Sequence, residues 1–110
     1  MEQISLIIPC FNEEESLPIF YRALDEVIVS MNTYRFEMLF IDDGSKDNTL
    51  SIIKKFSEAD EQVKYISFSR NFGKEAAMYA GFCNVVGDYV AVMDADMQDP
   101  PQLLQYVGKY

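Results

Sequence analysis

The sequence predicts an α/β fold built on a parallel sheet, and three observations carry that prediction. Short apolar runs alternate with longer segments of helical periodicity from one end of the chain to the other. The short runs are almost continuously apolar, as expected of strands buried on both faces. The connections are brief, with no internal repeat, low-complexity tract or domain boundary, so residues 1–110 read as one domain. Strands that alternate with helices imply right-handed crossovers. The expected strand order is 3-2-1-4, with the first strand central and a crevice at the strands' carboxyl ends.

Each element follows from its residues. Ile4-Ser5-Leu6-Ile7-Ile8 is the first strand, and Asn12 to Ser16 is a polar connection. A helix is predicted from about Leu17 to Met31, with Ile19, Phe20, Ala23, Leu24, Val27, Ile28 and Met31 on its apolar face. Pro18 falls in its first turn, where a missing N–H costs nothing. Phe36 to Ile41 is the second strand, closed by the turn residues Asp42-Asp43-Gly44-Ser45. Asp47 or Asn48 can cap the next helix, which carries Leu50, Ile53 and Phe56. Val63 to Phe68 is the third strand. The helix from about Lys74 to Val86 presents Ala76, Ala77, Ala80 and Gly81 for close packing on the sheet. Tyr89 to Met93 is the fourth strand, and a short final helix is expected after Pro100 and Pro101. Met31, Met38 and Met78 read as core.

Composition narrows the chemistry. The chain has 110 residues with nine Lys+Arg, eighteen Asp+Glu, no His and a net charge of −9. That balance argues against a nucleic-acid partner, which needs a positive footprint, and against a polybasic membrane patch. Without His there is no Ser-His-Asp or Cys-His catalysis and no His-ligated metal. Carboxylate chemistry remains, and carboxylates meet anionic substrates only through a cation. Cys10 and Cys83 both lie in apolar stretches and read as two buried thiols in a reducing compartment. The acidic N-terminus is no signal peptide, and no apolar run approaches the roughly 20 residues that cross a bilayer, so a cytoplasmic protein is expected. The abrupt stop after Lys109-Tyr110 predicts a piece of something longer.

The acidic residues gather just past the strands' carboxyl ends. Asp94-Ala95-Asp96 follows the fourth strand, and in an extended segment residues two apart point the same way. Two adjacent carboxylates are relieved by a hard divalent cation, Mg²⁺ or Mn²⁺, with phosphate oxygens and water completing its shell. Gln98 can add a neutral oxygen, while Asp99 before Pro100 reads as a helix cap. Of the pair after the second strand, Asp43 is expected either to bond the backbone of the Gly44-Ser45 turn or to join the nucleotide-binding residues. Asp42 is the better acceptor for the imino N–H of a base, whether uracil or guanine. Pro9 stiffens the exit from the first strand, and Phe11 can lie against a base or cover the core. Glu13 faces the nucleotide or serves a helix N-terminus. The third strand alone is followed by positive charge, Arg70 and Lys74, and Lys74 can meet a diphosphate beside helix N–H groups.

In order and spacing, Ile8-Pro9-Cys10-Phe11-Asn12-Glu13, Ile41 to Thr49 and Asp94-Ala95-Asp96 resemble the motifs of family 2 inverting glycosyltransferases. Ser69-Arg70-Asn71-Phe72-Gly73-Lys74-Glu75-Ala76-Ala77 and Met97-Gln98-Asp99-Pro100-Pro101 resemble more narrowly the polyprenyl-phosphate hexosyltransferases, the group of dolichol-phosphate mannose synthase and the bactoprenol glucosyltransferases. The resemblance covers essentially the whole chain. It implies a GT-A fold, a Rossmann-like nucleotide-sugar domain, with Pro9, Phe11, Glu13 and Asp42 around the nucleotide. It also implies that Asp94, Asp96 and Gln98 hold the metal on the diphosphate. Such enzymes transfer a hexose from UDP-glucose or GDP-mannose to a lipid phosphate at the cytoplasmic face of a membrane. They continue well past this point, so the resemblance implies the donor half of a truncated domain, with weak or no transfer activity and an exposed sheet edge prone to self-association.

Two rival classes fit less well. An acidic receiver module needs its acidic pair after the first strand and a Lys after a fifth, which is absent. A phosphohydrolase built on Asp-x-Asp wants that motif after its first strand, with Thr or Val where Gln98 stands. Neither glycine-rich fingerprint of dehydrogenases or P-loop enzymes occurs.

Overall fold

The computed structural model describes residues 1–96. Its elements are β1 (Gln3–Cys10), α1 (Leu17–Ser30), β2 (Arg35–Asp42), α2 (Thr49–Ala59), β3 (Val63–Ser67), α3 (Lys74–Asn84) and β4 (Tyr89–Val92). Every strand pair is parallel and the order is β3-β2-β1-β4, as expected. The final helix expected after Pro100 and Pro101 lies outside the described residues, as do Gln98 and Asp99.

The central β1 is buried along both faces, which is why its sequence carries no alternation. Ile4, Leu6 and Ile8 join Phe36, Met38 and Phe40 of β2 beneath α1 and α2, with Leu17, Phe20, Leu24, Val27 and Ile53 closing that layer. On the opposite face Ile7, Leu39 and Ile41 pack against Ala77 of α3. Gly81 is required there, since a β-carbon at that position would drive into the Ile7 side chain. Ala77 and Gly81 are buried and Ala76 and Ala80 half-buried, so the small-residue face does seat α3 on the sheet.

Three expectations about the core need correction. Ile19 is 60% exposed, because it lies to one side of the Phe20-Leu24-Val27 stripe that meets the sheet. Cys83 is exposed on α3 and only Cys10 is buried, since α3 turns its inner face to the sheet through Ala77 and Gly81. Met31 and Met78 are half-buried at the margins, and only Met38 is fully enclosed.

The register positions the site. Cys10 pairs with Asp42, and Asp42 with Ser67, so β1, β2 and β3 end level with one another. Val92 pairs with Ile7, and the Met93 N–H continues the ladder by donating to the Ile7 carbonyl at 2.9 Å. The next residue, Asp94, therefore reaches the level of Pro9. Among the described residues no helix is long and apolar enough to cross a membrane.

Candidate active site

The connections leaving β1 and β2 are stitched to each other by reciprocal hydrogen bonds. Asn12 adopts the left-handed conformation, φ 53°, which a short polar side chain tolerates better than most. Its N–H donates to Ser45 Oγ at 2.9 Å, and its Oδ1 accepts from the Lys46 N–H at 2.9 Å. The Glu13 N–H donates to Thr49 Oγ1 at 2.8 Å, and Asn48 Nδ2 donates to Glu14 Oε2 at 3.0 Å. Of the two cap candidates for α2, Asp47 bonds the first turn, accepting from the Thr49 N–H at 2.9 Å, while Asn48 makes no side-chain cap. Burial pushes the Asp47 carboxyl upward, but the bonds it accepts from Thr49, and from the Glu14 N–H at 3.3 Å, outweigh it and hold it below its usual range.

The acidic pair after β2 divides its work differently from expectation. The Ser45 N–H in the turn donates to Asp42 Oδ1 at 3.2 Å, so Asp42, not Asp43, holds that turn. Asp43 reaches instead to the connection between β3 and α3. Its Oδ1 accepts from the Phe72 N–H at 2.8 Å, and its Oδ2 from the Gly73 N–H at 3.0 Å and from Asn71 Nδ2 at 3.2 Å. The physical reason lies in the adjacent Gly44, whose φ of 72° and missing side chain let the turn press on the backbone of Arg70 and Asn71. At that distance an aspartate can satisfy the neighbouring loop. Asp42 and Asp43 are 2% and 4% exposed.

Three adjoining cavities run along this rim. The largest, about 440 Å³, is bounded by Phe11, Asp42, the Gly44-Ser45 turn and Arg70. A second, about 180 Å³, is lined by Pro9, Cys10, Phe11, Glu13, Asp43, Lys74, Asp94 and Asp96. The third, about 300 Å³, shares Glu13 and Asp96 and extends over the Glu14-Glu15-Ser16 segment. Phe11 lies between the first two and is 42% exposed, so it does not cover the core. Glu13 Oε2 accepts from Ser16 Oγ, the residue that precedes α1, at 2.8 Å, and the first turn of α1 itself carries no acidic residue. Arg70 stacks on the Phe72 ring, 4.4 Å from its centroid.

Every described residue of the expected site therefore borders this rim. Cys10 forms part of its floor, and burial pushes its thiol far up, reinforced by the charges of Glu13, Asp42 and Asp94. Lys74 Nζ sits 2.7 Å from Asp94 Oδ1, where a diphosphate contact was expected. Asp94 and Asp96 offer hard oxygen donors of the kind that suit Mg²⁺ or Mn²⁺. Asp94 already takes a positive partner in this structure. Among the described residues, no group of three acidic or cysteine side chains could hold a metal unaided. The Asp94 and Asp96 carboxylates fit Mg²⁺ or Mn²⁺ by donor type.

Sequence reasoning missed Asn12, Thr49 and the reach of Asp43 as framework residues. Their signal was the polarity of both connections, which named turn formers without saying which would pair across the gap.

A parallel sheet ordered β3-β2-β1-β4, with its cavities at the strands' carboxyl ends, is the arrangement of Rossmann-like nucleotide-binding domains, the class that includes the GT-A glycosyltransferase fold. Comparison makes this specific: the sequence model of glycosyl transferase family 2 matches residues 5–110, and the chain belongs to that family. A prophage bactoprenol glucosyl transferase homolog of Escherichia coli is 45% identical over 105 residues, 96% of this chain and 34% of that protein. The putative glycosyltransferase CsbB of Bacillus subtilis is 49% identical over 102 residues, 93% of this chain and 31% of its own. The chain thus spans about a third of the length of these relatives. Among solved structures, the mannosyltransferase PcManGT of Pyrobaculum calidifontis, in complex with GDP-Man and Mn²⁺, superposes with a TM-score of 0.79 at 19% identity. It covers 96% of this chain and 31% of its own. Residues 1–349 of TarS from S. aureus, in complex with UDP, give 0.72 at 23%, covering 86% and 27%. These two establish the shared fold. Neither a receiver module nor a phosphohydrolase is favoured by these matches.

Proposed function

We propose that residues 1–110 form the donor-binding half of a metal-dependent glycosyltransferase that moves a hexose from a nucleoside-diphosphate sugar to a polyprenyl phosphate with inversion. The observation that carries this reading is the continuous rim of cavities, with Asp42 bordering one and Asp94, Asp96 and Lys74 bordering the next. GDP-Man bound to one structural relative, UDP bound to another and the bactoprenol names of the sequence relatives support the same class of donor and acceptor.

In this reading the base enters beside Phe11 and Asp42, and the Asp42 carboxylate accepts an imino N–H of uracil or guanine. Pro9 and Glu13 border the path to the diphosphate, which Lys74 meets at the start of α3 with the N–H groups there. Asp94 and Asp96, with Gln98, hold Mg²⁺ or Mn²⁺. When bound, that ion neutralises charge developing on the departing diphosphate. The acceptor needs no protein base, because a phosphate monoester with a second pKa near 6 is largely anionic at neutral pH. Its binding residues, and attachment to the cytoplasmic face of a membrane, belong to chain beyond this domain half.

Titration of the chain with UDP, GDP and UDP-glucose, with and without Mn²⁺, tests the site. Binding of one nucleotide that requires the metal and is lost in Asp96→Ala is the expected result. Metal-dependent binding that survives Asp96→Ala unchanged removes the assignment.

A further inference from the structure

The contact between Lys74 and Asp94 points to a function for the lysine beyond holding phosphate. Lys74 Nζ stands 2.7 Å from Asp94 Oδ1, at the carboxylate assigned above to the metal. The cavity they border is also lined by Glu13, Asp43 and Asp96. Asp43 is satisfied by donors from Asn71, Phe72 and Gly73, while Glu13, Asp94 and Asp96 bring three further carboxylates to the cavity. A bare diphosphate is repelled there, and a bare divalent cation must displace an ammonium that already occupies Asp94.

We propose that Lys74 is an exchangeable counter-ion, which neutralises Asp94 in the empty site and transfers to the diphosphate when metal and nucleotide enter together. This rests on the donor-binding function proposed above. The exchange keeps Asp94 and the ammonium each beside an opposite charge. Before binding, the ammonium offsets the Asp94 carboxylate. Afterwards Asp94 would face the divalent ion and the ammonium would face phosphate.

The structure is built to let the side chain move while its root stays fixed. The Gly73 N–H preceding it is held by the buried Asp43, and the Ala77 N–H donates to the Gly73 carbonyl at 3.1 Å as α3 begins. The backbone is thereby anchored on both sides of Lys74. Its side chain is 57% exposed against 28% for Asp94, so the ammonium can swing through solvent on its flexible stem. The consequence is thermodynamic coupling: each ligand tightens the other, and the lysine supplies part of that coupling.

The test compares the wild-type chain with Lys74→Met and Lys74→Arg, using Mn²⁺ alone by electron paramagnetic resonance and UDP or GDP by calorimetry at saturating Mn²⁺. In Lys74→Met, removal of the competing ammonium should tighten Mn²⁺ alone by about two- to fivefold, the range of an exposed ion pair. The same variant should weaken the nucleotide by about tenfold or more through loss of a charge-assisted phosphate contact. Lys74→Arg keeps the charge and should restore the wild-type ordering of both affinities. A lysine that only binds phosphate, or only supports the fold, would leave Mn²⁺ binding unchanged or weaker in Lys74→Met. That outcome overturns the exchange and leaves the donor-binding function standing, provided the wild type binds a nucleotide with metal. A wild type that binds neither nucleotide overturns both.

Discussion

Asp43 shows how the turn contact expected of one residue can fall to its neighbour. Adjacent aspartates after a strand identify a turn, and the sequence cannot say which of them faces it. The structure gives the turn to Asp42 and sends the Asp43 carboxylate to three donors on the β3–α3 connection. Removing a buried acceptor leaves its donors unsatisfied, at about 1–3 kcal/mol for each uncompensated group. Asp43→Ala is therefore expected to lower stability by about 3 kcal/mol in urea unfolding. Asp43→Asn keeps one acceptor oxygen but turns an amide toward a donor, so a loss between wild type and Asp43→Ala is expected. Equal stability of all three proteins would contradict the clamp. Ile19 and Cys83 were misassigned for a related reason: apolar character alone does not fix which side of a helix meets the sheet.

Elements were far more legible than contacts. The near-continuous apolar runs of β1 and β2 located the sheet interior, and the parallel order followed from alternation with helices. A network at the opposite end of the sheet from the site was not legible, because its members are far apart in the chain. Glu37 of β2 accepts from Ser5 Oγ of β1, from the Val86 N–H at 2.8 Å and from Lys64 Nζ of β3 at 3.2 Å. The Ser5 hydroxyl oxygen in turn accepts from the Gly87 N–H at 2.8 Å. Burial pushes the Glu37 carboxyl upward, yet the Ser5, Val86 and Lys64 bonds prevail and hold it below its ordinary value of 4.5. Because the folded state binds this proton less readily than the unfolded chain, its stabilising contribution is complete above about pH 4.5 and is lost as pH falls through the depressed folded value. Glu37→Gln should flatten that part of the acid limb when unfolding midpoints are compared between about pH 7 and pH 3. An unchanged slope would show that Glu37 is not among the groups that titrate there.

At the scale of the molecule, the described sheet has β4 at one side, paired to β1 alone, with Val90 and Val92 each 38% exposed. An edge of this kind offers unpaired backbone groups to another copy. Sedimentation across a wide concentration range is expected to show mass rising with concentration. A constant monomer mass would refute self-association through that edge. The net charge of −9 acquires a more local meaning when it is mapped on the fold, since several of its acids stand at one rim. The stitching between the β1 and β2 connections carries a consequence for how such a domain can diverge. Asn12, Asp43, Ser45, Asp47 and Thr49 are committed to one another or to neighbouring backbone, so exchanging any of them disturbs the framework. Phe11, Lys46, Ser67 and Arg70 border the large cavity with side chains that take no part in that framework. On the donor-binding function proposed above, a change of base preference can therefore accumulate at those positions, while the scaffold beneath them stays constant.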